Sequence, residues 1–342
     1  MVGLPQISVV IPCRNEVATI DLVLQDLSAQ TLGEPFEVIV ADGASEDGTR
    51  ELLDQVVQNR GRPFTLRVVD NPQRIIPVAL NLAVAAASGR IIIRIDGHCR
   101  LDPKYLEFIV AALRLPDQEV VGPQVLQIAG GTSIVALAIS SLLTSKLGTG
   151  GTPSRGAIRR VQIVKHTVMS CFRREVWETL GGYDERLLSN EDFDFDYRAG
   201  LAGYHVWSLT EPTFRLVARA TLGGLCRQRW RYGWWKSAVV RKFPASIHLR
   251  QLMPPLALFG FMVLLLSFPG AAVVAFVIYL LAACITGLIA GNGQKLSRRL
   301  GIMGIAPLIF AIIHGVWTIG FIYGLIGNRF KVKSPSATPR SI

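Results

Sequence analysis

The last 131 residues of this 342-residue chain contain no aspartate or glutamate, because all 25 acidic residues lie at or before Glu211. The same stretch holds 16 of the 36 Lys and Arg residues, spaced between long apolar runs. This composition is typical of membrane association, since anionic phospholipid head groups attract Lys and Arg beside apolar spans. Nucleic acid would also attract the charge, but the alternation with apolar runs favours membrane lipids and argues against a nucleic-acid partner.

Cysteine is scarce as well. The five cysteines are odd in number, widely spaced and free of any Cys-x-x-Cys pair, which excludes a disulfide framework or zinc site and fits a reduced, cytosolic compartment. The stretch "MVGLPQISVVIPCRNE" has no basic n-region and its apolar run ends at Pro12, so we expect a first strand there, not a signal peptide. Gly-x-Gly-x-x-Gly and Walker loops are missing, so dinucleotide and P-loop binding have no support.

Two apolar segments, 271–290 and 302–327, are long enough to span a membrane. A third, 256–268, has only 13 residues between two proline-containing pairs, which suits a re-entrant or interfacial piece as well as a short span. The expectation is therefore two or three helices. The side of the C-terminus stays open, because under either count one basic segment, 294–299 or 328–333, breaks the positive-inside rule.

Residues 221–243, "TLGGLCRQRWRYGWWKSAVVRKF", predict a basic amphipathic helix ahead of these spans. Apolar residues recur at every fourth position from Leu222 to Ala238, with arginines off that stripe, which suits the head-group interface or packing on a globular domain. The predicted organisation is an α/β domain over 1–215, an interfacial segment over 216–250, a membrane domain over 251–328 and a basic tail over 329–342.

The first 211 residues alternate strand and helix. β-branched runs at 7–12, 36–41, 65–70 and 90–95 are separated by amphipathic stretches near 16–29, 47–58 and 77–87. Such repeats predict a parallel sheet, whose ligands bind at the carboxyl ends of the strands. The four loops expected on that rim read "PCRNE", "DGASEDGT", "NPQR" and "DGH".

Asp96 and His98 follow the fourth of these strands. Their side chains point the same way because residues i and i+2 leave a strand on one face, so both can reach one ion. A strand-end histidine is often structural, but an aspartate beside it on a four-loop rim favours a metal site.

Four segments, taken in order, carry a resemblance to a known family: "ISVVIPCRNE", "VIVADGASEDGTRE", "ALNLAVAAASGRIIIRIDGH" and "CFRREVWETLGGYDERLLSNEDFDFDYRAGLAGY". Over most of residues 7–207 the chain resembles the family 2 glycosyltransferases with the GT-A fold. It is most similar to their membrane-associated succinoglycan-biosynthesis (ExoA-like) branch. The resemblance implies a Rossmann-like, mostly parallel sheet with helices on both faces, followed by an interfacial helix and transmembrane helices.

The resemblance also implies a set of donor contacts. Residues that match the nucleotide-holding positions of the family are Pro12, Asn15, Glu16 and Asp42, with Arg74 and Asn81 as further donor contacts. A carboxylate such as that of Asp42 can accept a hydrogen bond from the uracil N–H.

The Asp-x-Asp motif of the family matches Asp96-Gly97-His98, with histidine in the second place. The imidazole is either a second metal ligand or a group that hydrogen-bonds phosphate or orients Asp96. This mixed donor set suits Mn²⁺ somewhat better than Mg²⁺. The cation would neutralise charge on the departing diphosphate.

The segment "NEDFDFDYR", 190–198, matches the catalytic Glu-Asp pair of the family. Acids also favour the first turn of a helix, so this cluster could be only a helix start. By the match, Asp192 is the general base that takes the acceptor hydroxyl proton, with Glu191 beside it, and a neighbouring carboxylate would raise the pKa of the base. One base without a carboxylate nucleophile implies a single displacement with inversion.

Gln228 and Arg231 lie in "QRWRY", which resembles the Gln-x-x-Arg-Trp signature of processive synthases with Tyr232 in the Trp position. The resemblance implies that they clamp the diphosphate; the alternative is an interfacial helix. The tyrosine and the small number of spans favour single additions over processivity.

The function expected from the resemblance is inverting, metal-dependent transfer of a hexose, with glucose among the candidates. The expected donor is a nucleotide-diphosphate sugar, UDP-linked in the first instance. The acceptor would be a polyprenyl-diphosphate-linked saccharide at the inner membrane of a bacterium, with the catalytic domain facing the cytoplasm. Two alternatives stay open. One is a polyprenyl-phosphate sugar synthase, disfavoured because an ionised phosphate needs no base. The other is a non-catalytic scaffold of a polysaccharide export complex, disfavoured by the intact Asp42, Asp96 and Asp192.

Overall fold

The computed structural model describes residues 6–59, 61–149 and 160–327. These residues form two compact units. The first, here called the sheet unit, comprises the described residues of 1–126 and 157–215. The second, the helical unit, comprises the described residues of 127–156 and 216–334.

An eight-stranded sheet forms the core of the first unit and runs in the order β3-β2-β1-β4-β7-β5-β8-β6. The strands are β1 (Ile7–Cys13), β2 (Phe36–Asp42), β3 (Thr65–Asp70), β4 (Ile91–Arg94), β5 (Val120–Ile128), β6 (Gln162–Ile163), β7 (Cys171–Arg173) and β8 (Val206–Val217). The four strands predicted from sequence are β1 to β4, and they pair in parallel. β7 pairs antiparallel with β4 and β5, and β6 pairs antiparallel with β8, so the sheet is mixed beyond β4.

Helices cover this sheet: α1 (Ile20–Ser28), α2 (Thr49–Gln58), α3 (Ile76–Ala86), α4 (Tyr105–Leu113), α7 (Arg174–Leu180) and α8 (Glu191–Leu201). Three successive residues of β2, Val38, Ile39 and Val40, are fully buried, so helices cover both faces of the strand. On one face, Leu80 of α3 and Phe195 of α8 belong to a single core cluster with Ile39. This packing fixes α8, which carries the predicted base, against the sheet.

The helical unit contains α5 (Ile134–Leu143), α6 (Lys146–Thr149), α9 (Leu222–Lys242), α10 (Leu249–Ser267), α11 (Pro269–Ala290), α12 (Leu296–Ala311) and α13 (Trp317–Gly327). A π-helical turn joins α12 to α13, so 296–327 is one 32-residue helix. By length and composition, three helices of the described chain can cross a membrane: α10, α11 and the joined α12–α13.

α10 differs from the expected 13-residue piece because it begins at Leu249, and Pro254 and Pro255 lie inside it. The fixed φ of proline is compatible with a helix. Because proline has no N–H, the helix loses only the backbone hydrogen bonds that these two residues would donate to the preceding turn. The result is a 19-residue helix, long enough to span.

α5 is grouped with the C-terminal helices, whereas the predicted α/β domain over 1–215 includes residues 127–149. Its Ala138 and Ile139 are fully buried in one cluster with Ile302, Ala306 and Ile309. An apolar ten-residue helix inside an α/β region has no local mark that tells which core it joins. The long-range packing of α5 determines which core it joins.

α9 packs on α13 within the helical unit. The rings of Trp230 and Trp234 lie 5.6 and 5.2 Å from that of Tyr323, and a side chain on Gly233 would collide with the backbone at Trp317 and Phe321. The predicted apolar stripe from Leu222 to Ala238 thus includes two tryptophans that contact a neighbouring helix.

Candidate active site

The carboxyl ends of the parallel strands meet at one edge, as predicted. Cys13, Asp42 and Asp70, the last residues of β1, β2 and β3, are aligned in register. The following loops are tied to each other across the chain: the Asn71 N–H donates to the Asp42 carbonyl at 2.8 Å, and the Gly43 N–H donates to the Cys13 carbonyl at 2.8 Å. Hydrogen bonds therefore hold the loops of this rim together.

Unusual backbone geometry concentrates around this rim. The described non-glycine residues with positive φ are Asn15, Ala44, Arg74, Met169 and Asn190. The first three lie in the loops after β1, β2 and β3, and Asn190 immediately precedes α8. Side chains disfavour this region, and residues held there are found preferentially at functional sites. The backbone thus marks these loops independently of their side chains.

Asp42 is 3% exposed at the end of β2. Its Oδ1 accepts from the Ser45 hydroxyl at 2.6 Å, and the Arg50 guanidinium lies 3.9 Å from Oδ2. A buried carboxylate with both of these partners is held in one orientation, as an acceptor that reads a base must be.

Asn15 and Glu16 connect the first loop to the second and fourth. The Asn15 N–H donates to Ser45 Oγ at 2.9 Å, and its side-chain oxygen accepts from the Glu46 N–H at 2.9 Å. Glu16 Oε1 lies 2.9 Å from His98 Nδ1. His98 is thus placed on the rim as predicted, paired with Glu16 through one ring nitrogen; metal ligation by its imidazole stays a prediction.

The other predicted donor contacts are also located. Pro12 lies inside β1 opposite Ala41, and Arg74 pairs with Glu46 at 3.2 Å. The Asn81 amide nitrogen donates to the Tyr183 carbonyl at 3.0 Å and to Glu185 Oε1 at 2.9 Å, and its oxygen accepts from the Tyr183 N–H at 2.8 Å. These bonds use both amide hydrogens of Asn81 to tie α3 to the segment before α8.

Arg94 is a buried arginine at the end of β4 and is not among the predicted site residues. Its guanidinium lies 3.4 Å from Asp96 and 3.3 Å from Glu191, and its side chain is 7% exposed. A buried arginine requires nearby carboxylates, so the charge within "IIIRID" was the available signal. Through Arg94, the predicted metal ligand and the predicted catalytic pair belong to one ionic cluster.

Glu191 and Asp192 begin α8 in different environments. Burial and the neighbouring Asp192 charge raise the pKa of Glu191 to about 7, with Arg94 opposing them. The side chain of Asp192 is 27% exposed, and its Oδ1 accepts from the Phe193 N–H at 2.7 Å. The elevated pKa belongs to the buried neighbour, whereas Asp192 is the carboxylate of the pair that solvent and a substrate can reach.

The other two acids of α8 are buried and tied to the protein. Asp194 pairs with Arg198 at 2.7 Å. Asp196 accepts from the Ser170 hydroxyl at 2.6 Å and from the Thr167 N–H at 2.9 Å, and it lies 2.8 Å from His166 Nδ1. His166 is also not among the predicted site residues, because nothing near it in the chain indicates its partners on α8.

Comparison with known proteins decides the family. A sequence model described as "Glycosyl transferase family 2" matches residues 8–181. Succinoglycan biosynthesis protein ExoA of Rhizobium meliloti (strain 1021) is 33% identical over 330 residues, which cover 95% of this chain and 96% of that protein. The chain belongs to glycosyl transferase family 2. Its resemblance to ExoA extends over nearly its whole length, so the prediction of family and branch is confirmed.

Two further proteins are similar to this family 2 chain, one in sequence and one in structure. Glycosyltransferase AglE of Haloferax volcanii is 28% identical over 202 residues, 59% of this chain and 63% of AglE. The mannosyltransferase PcManGT of Pyrobaculum calidifontis, solved in complex with GDP-Man and Mn²⁺, superposes with a TM-score of 0.60 at 17% identity, covering 96% of this chain and 89% of that one. This likeness confirms the GT-A-like fold.

A divalent cation fits this family 2 site only as an ion shared with a ligand. Residues 6–59, 61–149 and 160–327 contain no group of three His, Cys, Asp or Glu side chains that could hold one. The Asp96 side chain is 25% exposed, and Arg94 contacts its Oδ1 at 3.4 Å. Mg²⁺ and similar ions are often held by one or two carboxylates plus substrate phosphates, so Asp96 fits such a cation.

Gln228 and Arg231 lie three residues apart on α9, in the helical unit. The Gln228 amide nitrogen is 3.5 Å from the Tyr232 hydroxyl, and Arg231 is exposed. Their role as a diphosphate clamp stays a prediction.

The raised pKa of Glu191 predicts a pH dependence of stability. Between the ordinary value of 4.5 and about 7, the folded chain binds a proton at this carboxyl that the unfolded chain has lost. The contribution of Glu191 to folding is therefore fully present below pH 4.5 and lost as pH rises through 7. We expect Glu191→Gln to reduce the loss of unfolding free energy between about pH 5 and about pH 8, measured by denaturant titration. The same pH slope in both proteins would contradict the assignment.

Proposed function

We propose that this chain is an inverting hexosyltransferase that uses a nucleotide-diphosphate sugar, UDP-linked in the first instance. The observation that carries the proposal is the ionic cluster in which Arg94 joins Asp96 to Glu191, next to Asp192. Sugar transfer needs a place for the departing diphosphate close to a base for the acceptor hydroxyl, and this cluster supplies carboxylates for both tasks.

The residues divide the reaction between them. Asp42 reads the base of the nucleotide, with Pro12, Asn15 and Glu16 in the adjoining loop. Asp96 would hold a divalent cation, Mn²⁺ or Mg²⁺, with His98 as the second candidate ligand. When bound, this cation neutralises the charge that develops on the diphosphate. Asp192 withdraws the proton of the acceptor hydroxyl, and the absence of a separate nucleophile from this scheme implies inversion at the anomeric carbon.

The acceptor we propose is a saccharide on a polyprenyl-diphosphate carrier, used in exopolysaccharide or cell-envelope glycan synthesis. Support comes from the likeness to ExoA and from the three helices that can span a membrane. With three spans, the basic loop after α11 lies on the same side as the residues before α10, which agrees with the positive-inside rule for that loop. We therefore place the chain in the inner membrane of a bacterium with the sheet unit in the cytoplasm.

Reconstituted transfer tests this function. The full-length chain in anionic liposomes is given Mn²⁺ and a labelled donor (UDP-glucose, UDP-galactose or GDP-mannose). Separate arms contain polyprenyl-diphosphate-linked saccharide, polyprenyl phosphate or no acceptor. We expect label on the lipid-linked saccharide from a UDP-hexose, with glucose tested first, and none after chelation of the cation.

The other arms identify the alternatives. Label on polyprenyl phosphate would establish a lipid-phosphate sugar synthase instead. No label in any arm, together with no binding of UDP by calorimetry, would favour a non-catalytic scaffold.

A further inference from the structure

A cavity of about 830 Å³ lies within the helical unit. Its walls are the end of β5, the helices α5 and α6, and the C-terminal part of α11. This volume is in the range of small-molecule sites, roughly 300–1,000 Å³. The residues that line the cavity are all different from the predicted site residues, so the proposed function does not yet account for it.

The charge around this cavity favours an anionic ligand. The sequence ranges 127–156 and 216–334 contain no Asp or Glu, so no carboxylate of this unit opposes an anion. Lys146 is exposed and is the one titratable side chain among the residues that line the cavity. Because an ammonium group is a common partner of phosphate, the cavity fits a ligand that carries phosphate.

The other polar atoms of the cavity include several hydrogen-bond acceptors. The hydroxyls of Ser140, Thr144 and Thr286 donate to backbone carbonyls at 3.3, 2.8 and 2.7 Å. A hydroxyl has one proton, so each of these oxygens retains only lone pairs for a ligand. Gln127 also lines the cavity, and its side-chain oxygen is buried without a hydrogen-bond partner among the described residues. Since buried polar atoms normally have a partner, the ligand that fits is one that donates hydrogen bonds.

These two requirements together indicate a sugar phosphate. An ionised phosphate only accepts hydrogen bonds, so it can pair with Lys146 but not with the acceptor oxygens. A sugar hydroxyl donates as well as accepts and can pair with those oxygens, but a sugar alone does not use the ammonium charge. A head group in which a sugar is joined to phosphate matches both kinds of group.

A histidine inside a membrane helix holds one wall of the cavity. His314 lies in the π-helical turn Ile312–Val316, with its Nε2 2.9 Å from the Leu147 carbonyl and its Nδ1 3.1 Å from the Tyr279 hydroxyl. A carbonyl only accepts, so Nε2 carries the proton and Nδ1 accepts from the tyrosine. These bonds fix α6 to α11, and Leu147 itself lines the cavity. Ionisable residues in membrane spans and π-helical turns are both typical of functional sites.

The position of the cavity along α11 fits a lipid head group. Its lining residues on this helix lie between Ala282 and Ala290, where the helix ends, and Ile289 is 63% exposed. With the three spans proposed above, this end of α11 is on the cytoplasmic side, beside the basic loop. The cavity is then close to the level of the lipid head groups, and part of its wall belongs to the outer surface of a membrane-spanning helix.

We propose that this cavity binds the diphosphate and the adjoining sugar of the lipid-linked acceptor. Lys146 pairs with the diphosphate, and the acceptor oxygens of Gln127, Ser140, Thr144 and Thr286 receive hydrogen bonds from the sugar. The polyprenyl chain remains in the bilayer along α11. This assignment rests on the proposed function, which supplies the class of acceptor, and it adds a site that retains the carrier during transfer.

Ligand binding by the full-length chain in detergent micelles tests the assignment. Native mass spectrometry gives the dissociation constants of polyprenyl-diphosphate-linked saccharide, polyprenyl diphosphate, phosphatidylglycerol and inorganic diphosphate. We expect the lipid-linked saccharide to bind at least about 10-fold more tightly than each of the others, because it alone joins a sugar to a lipid diphosphate.

Two substitutions separate the two parts of the ligand. Lys146→Gln should weaken binding of the lipid-linked saccharide and of polyprenyl diphosphate about 10-fold, through the loss of a charged hydrogen bond. Thr286→Val conserves the shape of the side chain and should weaken binding of the saccharide about 5-fold, while polyprenyl diphosphate binds as before. Lys295→Gln is the matched control, because it removes the same charge from an exposed position of the same unit outside the cavity.

The outcomes distinguish this inference from the proposed function. Equal binding of the lipid-linked saccharide by wild type and both cavity variants, or no binding by wild type, would overturn the inference. Equal affinity of wild type for phosphatidylglycerol or for polyprenyl diphosphate would mean a site for lipid phosphate without sugar recognition, and would also overturn it. If wild type transfers sugar in the reconstituted assay, each of these results leaves the proposed function standing. If the variants bind as expected but wild type transfers no sugar, the proposed function fails and the binding site stands.

Discussion

Replacement of Asp192 by asparagine is expected to lower sugar transfer by about 10²- to 10⁴-fold, the usual contribution of a general base. The amide keeps the shape of the side chain and still accepts the hydrogen bond from the Phe193 N–H. It cannot take up the acceptor proton. Because Asp192 is partly exposed and the amide keeps the hydrogen bond from the Phe193 N–H, the variant should fold as wild type does.

The initial rate of sugar transfer to the lipid-linked acceptor is measured for the variant and for wild type. The binding of UDP to both proteins is measured by calorimetry. Binding of UDP should be retained, since Asp42 and the loops after β1 and β2 are unchanged. Asp117→Asn makes the same chemical change at an exposed position and should transfer sugar at the wild-type rate. Transfer by Asp192→Asn at more than a tenth of the wild-type rate would remove Asp192 as the base.

Measured at about pH 9, where Glu191 is ionised beside Arg94, replacement of Arg94 by methionine is expected to cost about 3–5 kcal/mol of unfolding free energy. Methionine conserves much of the volume but leaves the buried Glu191 and the adjacent Asp96 without the guanidinium that faces both. A buried carboxylate without its partner charge is strongly destabilising. Denaturant titration followed by tryptophan fluorescence measures the difference.

A double substitution tests whether the unpaired charge of Glu191 causes the loss of unfolding free energy. A glutamine at position 191 needs no counter-charge, so Arg94→Met/Glu191→Gln should recover a substantial part of the loss. Arg114→Met is the matched control: this arginine pairs with Glu34 at 2.7 Å on the surface, and its loss should cost at most about 1 kcal/mol. Equal costs at the two arginines would contradict the buried ionic cluster.

The sequence predicts the sheet and the rim well because both depend on local patterns. β1 to β4 are short β-branched runs, and the burial of β1, β2 and β4 on both faces follows from the strand–helix alternation, whereas β3 at the sheet edge is partly exposed. Asp42 and Asp96 can be predicted as site residues because they lie at or just after the ends of β2 and β4. The parallel half of the sheet therefore brings the four loops together without any knowledge of longer-range contacts.

The remaining features depend on residues that are far apart in the chain. Arg94 and Glu191 are 97 residues apart, and His166 and Asp196 are 30 apart. Nothing local indicates that these side chains meet. The charge of Arg94 inside a buried strand was a usable signal, since a buried arginine requires partners. His166 offered no such signal.

In the helical unit, the sequence predicts the apolar helices but not their ends or their packing partners. The apolar runs predict membrane helices, but Pro254 and Pro255 suggested a helix end where the helix continues. α5 looked like part of the α/β domain and packs with α12 instead. Apolar composition predicts burial, whereas the partner in that burial depends on the tertiary fold.

The most direct test of the central claim is NMR of the product that the wild-type chain makes from α-linked UDP-[¹³C]hexose and polyprenyl-diphosphate-linked saccharide. The proposed mechanism predicts a new glycosidic bond to the saccharide with the anomeric configuration inverted to β. A retained α linkage would contradict the single displacement with Asp192 as base, and a labelled product without any new glycosidic bond to the saccharide would contradict the proposed function itself.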